Sequence, residues 1–289
     1  KIPEALLRAY CRLEEETERR ARQAETLPRK VRTEIRERMV EQLQPGMPPT
    51  LTGIPMVLDF RNDLVLCGAM SDLQLDRFCP FFRETTGVTP MLLTAESAAL
   101  LRCGINARDL PPTAFSPDKT LESEGETSLG LDFLTWLRFV WERDGGAFHC
   151  GERGEQRGFM LEGPLVFYRE GQGAHEALLR KGTPLLSREA GIAMYCGKKL
   201  KRAKFTLTSG ERKCTATLDA DFSIRGLKLP PCEQFDALGR FQERMLAIEA
   251  FRDSLFELFD RFINMRADAQ RWCDTLTDMR AWVARRSGA

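Results

Sequence analysis

Apolar residues recur at helical spacing from the first turn of the chain. Leu6, Leu7, Tyr10 and Leu13 predict a helix over 3–25, with Pro3 suited to its first turn. The stretch Glu14 to Glu25 is nearly all charged and is expected to project into solvent, and Pro28 breaks the pattern. Val31, Ile35, Met39 and Leu43 predict a second helix over 29–43, followed by a stiff loop, Pro45-Gly46-Met47-Pro48-Pro49. The apolar runs Ile54–Phe60 and Leu64–Ala69 around Arg61-Asn62-Asp63 predict a hairpin. Ser71 can cap a helix carrying Leu73, Leu75, Phe78 and Phe82. Val88–Leu93 reads as a strand, and Thr94 caps a short helix that ends at Gly104.

Residues 111–128 change character. They are rich in Pro, Ser and Thr and carry Asp118, Glu122, Glu124 and Glu126 against Lys119, so they read as an acidic, mobile linker. Beyond it, Leu129, Phe133, Leu137, Val140 and Trp141 predict a helix over 129–143, stopped by Gly145-Gly146. Its aromatic spacing is that of a core face rather than a base-stacking platform, and Trp136 lies off the stripe. Phe159–Tyr168 and Glu176–Lys181 predict strands, and Ser187–Cys196 a short helix. Lys199–Thr208 and Lys213–Asp219 flank Ser209-Gly210, a second hairpin. In its first strand Ala203, Phe205 and Leu207 face one way, and Arg202, Lys204 and Thr206 the other. From Cys232 to about Met265 a stripe including Phe241, Met245, Ile248, Phe251, Leu255, Leu258 and Phe262 predicts one long helix, and Trp272, Leu276, Met279 and Trp282 a final one. The expected fold is α+β: mixed or antiparallel sheets with packed helices, two α/β modules and a long C-terminal helical segment. The expected division is a helical arm with an α+β module over 1–112, an acidic linker over 113–128, a second module with a basic hairpin over 129–231, and C-terminal helices over 232–289.

Composition changes this picture mainly through charge. The 289 residues carry 43 Lys and Arg against 42 Asp and Glu, a net +1, yet from Lys198 to Lys228 there are nine basic residues against three acidic ones. Lys198, Lys199, Lys201, Arg202 and Lys204 open that segment, with Lys213, Arg225 and Lys228 as further candidates. Clustered cations on a rigid element neutralise phosphates and release counterions, a route to DNA affinity without sequence preference. The plainer reading is a solvated strand face guarding a sheet edge. No apolar run is long enough to span a membrane. The nine cysteines include no Cys-x-x-Cys pair, and several sit among apolar neighbours, which reads as reduced, packed thiols in a cytoplasm.

Candidate chemistry is sparse. There is no Gly-x-Ser-x-Gly elbow and no phosphate-binding Gly-x-x-x-x-Gly-Lys-Ser/Thr loop, and Gly171-Gln172-Gly173 is an isolated turn signal. His149-Cys150 is at most half a zinc site. Asp219 and Asp221, with Glu211, are the acids a metal-dependent exonuclease would use. The primary reading has no catalytic residue, no metal and no cofactor. The exonuclease and a protein-interaction scaffold built on the long helix are the alternatives.

An ordered series of segments resembles the bacterial recombination-associated RdgC family. Its carriers are Ile2-Pro3-Glu4-Ala5-Leu6-Leu7, Ile54-Pro55-Met56-Val57-Leu58-Asp59-Phe60-Arg61-Asn62, Asp132-Phe133-Leu134-Thr135-Trp136-Leu137-Arg138-Phe139, Gly197-Lys198-Lys199-Leu200, Leu227-Lys228-Leu229-Pro230 and the phenylalanine-rich terminal helix. The version here is similar to the longer branch, with an extra β-rich segment near 145–185, and the resemblance implies a further segment before Lys1. It also implies a non-enzymatic, ring-shaped homodimer with a basic hole, binding single- and double-stranded DNA with little sequence preference. The implied setting is the nucleoid, in recombination and replication, with restraint of the RecA recombinase. Where the family carries a basic-aromatic segment at the dimer tip, this chain has the Pro45–Pro49 loop.

Overall fold

In a computed structural model of the chain, which describes residues 2–48, 53–69, 71–118, 120–121, 128–151, 154–169 and 175–288, the opening apolar stripes form a helical hairpin. Helices α1 (Glu4–Ala21) and α2 (Arg29–Leu43) bury Leu7 and Cys11 of the first against Ile35 and Met39 of the second, with Leu27 between them. Strands β1 (Met56–Asp59) and β2 (Leu64–Cys67) pair antiparallel, as the apolar runs predict. Asp59 holds the turn by accepting from the backbone N–H groups of Arg61 and Asn62. Ser71 caps α3 (Asp72–Thr86) by accepting from the Gln74 N–H. These elements belong to one compact unit, Lys1–Pro90.

The second unit is Met91–Ala289. This division replaces the expected boundaries at 112, 128 and 231, because residues 91–118 and the C-terminal helices share the core of residues 129–231. Val88–Leu93 is not a strand: Val88, Met91 and Leu92 are exposed and the run pairs with no strand among the described residues. Thr94 and Ser97 form a reciprocal capping box on α4 (Ala95–Cys103), ended by Gly104 in the left-handed region. The acidic linker is also corrected. Thr113, Phe115 and Ser116 are buried, the Phe115 ring meets Trp272 edge-on at 6.2 Å, and Ser116 Oγ donates to the Tyr195 carbonyl at 2.5 Å. A Pro- and Ser-rich composition mimics a free loop, but one anchoring phenylalanine sets residues 113–118 into the core. Lys119, Glu122, Glu124 and Glu126 lie outside the described residues, as do Pro49 and Gly171-Gln172-Gly173.

The core of this unit is one antiparallel sheet backed by helices. Strands β3 (Ala147–Cys150), β4 (Glu155–Tyr168), β6 (Lys199–Ser209), β7 (Arg212–Asp219) and β8 (Ile224–Lys228) lie in that order, and β5 (Glu176–Leu179) pairs with the far end of β4. The inner face carries Phe159, Leu161, Ala203, Phe205, Ala216 and Leu218. Helix α5 (Leu129–Asp144) packs on it. From Leu129 to Phe139 every α5 residue is buried, far more than a single stripe, because the helix is covered on several sides at once. Trp136 is therefore core: it stacks near Phe133 and meets Phe262 at 5.6 Å. A Cβ at Gly130 would stand 1.7 Å from the Ala220 carbonyl oxygen, so only glycine lets α5 approach the β7–β8 turn this closely.

Helix α6 (Arg188–Tyr195) is capped by Ser187, and α7 (Ala237–Ala267) runs 31 residues as one long helix, starting five residues later than the expected Cys232 because Asp236 caps it. Phe251, Leu255, Leu258, Phe259 and Phe262 are buried on it, with Phe259 edge-on to Phe133 at 5.2 Å. Asp268, non-helical at ψ 106°, separates α7 from α8 (Ala269–Ser287), and its carboxylate accepts from the Gln270 and Arg271 N–H groups at 3.1 Å. The fold is α+β, with antiparallel sheets, packed helices and a long C-terminal helical segment. No helix among the described residues is long and apolar enough to cross a membrane.

Candidate nucleic-acid interface

The strand register decides which basic residues share a surface. Thr206 pairs with Met160 and Thr215, Lys204 with Glu162 and Thr217, and Thr208 with Lys213. Cross-strand partners lie on the same face, so Arg202, Lys204, Thr206 and Thr208 of β6 share the outer face with Lys213, Thr215 and Thr217 of β7. Strand β8 extends it: Lys228 stands opposite Thr215, and Arg225 opposite Thr217. Three residues apart on a regular strand, Arg225 and Lys228 would point to opposite faces. A bulge at Gly226, with φ +60°, restores them to one.

The five leading cations do not form one free patch, and this corrects the expected basic face. Lys199 turns inward, where its Nζ lies 2.6 Å from Asp132 Oδ1 of α5, with the Asp132 side chain 0% and the Lys199 side chain 14% exposed. Lys201 pairs with Glu176 of β5 at 2.7 Å and lies over the Tyr168 ring. Arg202 Nε donates to Asp219 Oδ2 at 2.5 Å. Lys204 pairs with Glu162 of β4. Alternation along β6 already gives Lys199 and Lys201 the opposite parity to Arg202 and Lys204, which keeps them off the outer face. Each of these charges is largely cancelled by an acid supplied from another element. Lys198, Lys213, Arg225 and Lys228 have no ion pair among the described residues, and the last three are exposed. The free positive charge therefore sits on β7 and β8, on a face whose other side chains include the hydroxyls of Thr208, Thr215 and Thr217. Thr206 and Thr215 hydroxyls are 3.3 Å apart. Such a surface can hold phosphate oxygens, contacts that carry no sequence information.

Beneath it runs a polar row that the apolar pattern hid. Asp132, Thr135 and Arg138 occur every third residue along α5 and are all fully buried. Asp132 takes Lys199. Thr135 Oγ1 accepts from the Leu200 N–H at 2.9 Å. Arg138 donates from Nη2 to the Leu185 carbonyl at 2.8 Å and lies between the Phe167 and Trp282 rings. Burial raises the Asp132 carboxyl above its ordinary value, against the opposing pull of Lys199 and Arg266. Burial pulls the Arg138 guanidinium down to about 9. The row pins the start of β6 and residues 184–186 to the central helix. The sequence signal was present, a polar residue at every third position inside an otherwise apolar helix, but the core reading of its neighbours concealed it.

The acids weighed for metal chemistry are otherwise engaged. Asp219 is buried, held by Arg202, and accepts from the Ala220 N–H at 3.0 Å. Asp221 lies in the β7–β8 turn and accepts from the Ser223 N–H at 2.8 Å. Glu211 sits exposed at the tight turn between β6 and β7, and His149 and Cys150 point to opposite faces of β3. No group of three or more His, Cys, Asp or Glu side chains placed to hold a metal occurs among the described residues. Comparison of the sequence with protein-family models finds no matching family, and comparison with curated proteins finds no match.

Proposed function

We propose that this chain is a non-sequence-specific DNA-binding protein that acts by charge and enclosure, without catalysis, as a ring- or clamp-like homodimer. The observation that carries the reading is the set of exposed cations Lys213, Arg225 and Lys228, without an ion pair among the described residues, on the hydroxylated outer face of the sheet. Lys198 is the fourth contact, and Arg202 and Lys204 contribute only where a phosphate displaces their acid partners. Asp219 serves this reading as a structural partner of Arg202 rather than as a metal ligand. The similarity to RdgC supplies the setting: recombination and replication in the nucleoid, and restraint of the RecA recombinase.

The start of α7 supports assembly. Leu238, Phe241 and Leu246 of its first turns are exposed, as is Phe235 just before the helix at 96%, while later turns carry buried residues. An apolar cluster of this kind marks a surface that another protein covers, and in this reading the cover is a second copy. The same turns favour the second reading, a protein-interaction scaffold, which is distinguished by having no affinity for DNA.

Enclosure makes a kinetic prediction. A closed clamp leaves a duplex only over an end or through an opened interface, and salt competes with phosphate contacts without cutting a topological link. Release into high salt, followed by fluorescence on open linear, end-blocked linear and circular DNA, is expected to be slower on the last two. Equal release from all three, or a monomer by solution mass, removes enclosure and leaves an open basic surface.

A further inference from the structure

The α1–α2 hairpin carries a second basic surface that follows from its packing. In four places an apolar stripe residue is followed at once by arginine: Leu7-Arg8, Cys11-Arg12, Val31-Arg32 and Ile35-Arg36. One residue turns a helix by about 100°, so each arginine stands at the flank of the stripe that joins the two helices. The result is a groove of about 580 Å³ lined by Arg8, Arg12, Arg29, Arg32 and Arg36, with Glu15 the one carboxylate in its lining among the described residues. Buried Cys11 and the Thr33 hydroxyl complete the lining.

These arginines are far less neutralised than the cations of β6. Arg12 and Arg29 have no ion pair or side-chain hydrogen bond among the described residues. Arg32 spends only Nε, on the Leu27 carbonyl at 3.1 Å, and Arg8 and Arg36 share the single carboxylate of Glu4. All five arginines are exposed.

We propose that this groove binds the phosphate backbone of DNA. Arg8 and Arg12 on α1 face Arg29, Arg32 and Arg36 on α2, with i, i+4 neighbours about 6 Å apart along each helix. A rod of closely spaced negative charge lying between the rows is neutralised from both sides, and guanidinium forks match phosphate oxygens in pairs. The lining has no aromatic ring for base stacking and no aliphatic wall for an acyl chain or an apolar peptide anchor. Contacts made to phosphate oxygens alone leave recognition indifferent to base sequence. The inference rests on the proposal that the chain binds DNA, but on none of the residues of the sheet.

The test is a salt titration of the full chain on short duplexes of unrelated sequence, comparing wild type, Arg12→Gln/Arg29→Gln/Arg32→Gln, and the triple lysine variant at the same positions. Each phosphate contact contributes about 0.9 to the slope of log affinity against log salt. The glutamine variant is expected to lose roughly 2–3 from the magnitude of that slope, equally for every duplex, and the lysine variant to keep most of it. Thermal unfolding should be unchanged in both, since these side chains are exposed and suit a helix. Wild-type slope and affinity in the glutamine variant remove the groove while leaving DNA binding by the sheet intact. No duplex binding by wild type at low salt removes both proposals. A third outcome also overturns the inference: poly-glutamate of matched charge that binds wild type but not the glutamine variant, with duplex binding unaffected, assigns the groove to an acidic protein.

Discussion

Lys199→Met is expected to destabilise the Met91–Ala289 unit by about 3–5 kcal/mol, the cost of leaving one member of a buried ion pair without its partner. Asp132 is wholly buried, its Oδ1 is held by Lys199 at 2.6 Å, and its Oδ2 has no hydrogen-bond partner among the described residues. Without Lys199 the carboxylate keeps only the more distant field of Arg266, or must take up a proton. A loss of this size is a large part of the roughly 5–15 kcal/mol by which domains are stable. Lys199→Met/Asp132→Leu, which removes both charges and refills the space, should recover most of it, because the pair was offsetting its own desolvation. Urea denaturation of the wild type and the three variants, including Asp132→Leu alone, measures this directly. Normal stability with weakened DNA binding in Lys199→Met would return Lys199 to the role its sequence context suggested, a phosphate contact.

The converse variant, Lys213→Glu/Arg225→Glu/Lys228→Glu, is expected to leave stability within about 0.5 kcal/mol, since the three side chains are exposed and have no ion pair among the described residues. DNA binding should fall roughly 10²–10³-fold, taking three charge-assisted contacts at about 1–1.5 kcal/mol each. The loss should be the same for unrelated duplexes, because phosphates carry no sequence information. Gel-shift or anisotropy titration on two duplexes reads both the magnitude and the uniformity. Undiminished affinity shows that the outer face is solvated and nothing more, and a loss confined to one sequence shows that these residues read bases.

The fate of the basic segment shows what was legible in the sequence. The parity of β6 was readable, because alternation along one strand is a local property: Ala203, Phe205 and Leu207 are buried and Arg202 and Lys204 share the outer face. The turn at Ser209-Gly210, the caps at Ser71 and Thr94 and the length of α7 were readable for the same reason. The cancellation of the charge was not. Asp132, Glu162, Glu176 and Asp219 lie between 17 and 67 positions from their partners and meet them only through strand register and the packing of α5. Strand β8 escaped notice because the bulge at Gly226 breaks its alternation. Val88–Leu93 misled in the other direction: an apolar run signals a strand only where a neighbouring strand exists to pair with it. Residues 113–118 misled because Pro and Ser outweighed one phenylalanine in the composition, while Phe115 outweighs them in buried area. Arg8, Arg12, Arg32 and Arg36 stand one position beyond Leu7, Cys11, Val31 and Ile35, a pattern that a reading of the apolar stripes alone does not weigh.

The proposed function requires that phosphate charge hold DNA to this protein. The most direct measurement is the affinity of the wild-type chain for two duplexes of unrelated sequence across a range of monovalent salt. The prediction is equal affinity for both at every salt concentration, with log affinity falling linearly in log salt at a slope steeper than about −3, since Lys198, Lys213, Arg225 and Lys228 each contribute about 0.9. No binding at low salt, a tenfold preference for one sequence, or an affinity that salt leaves unchanged would contradict it.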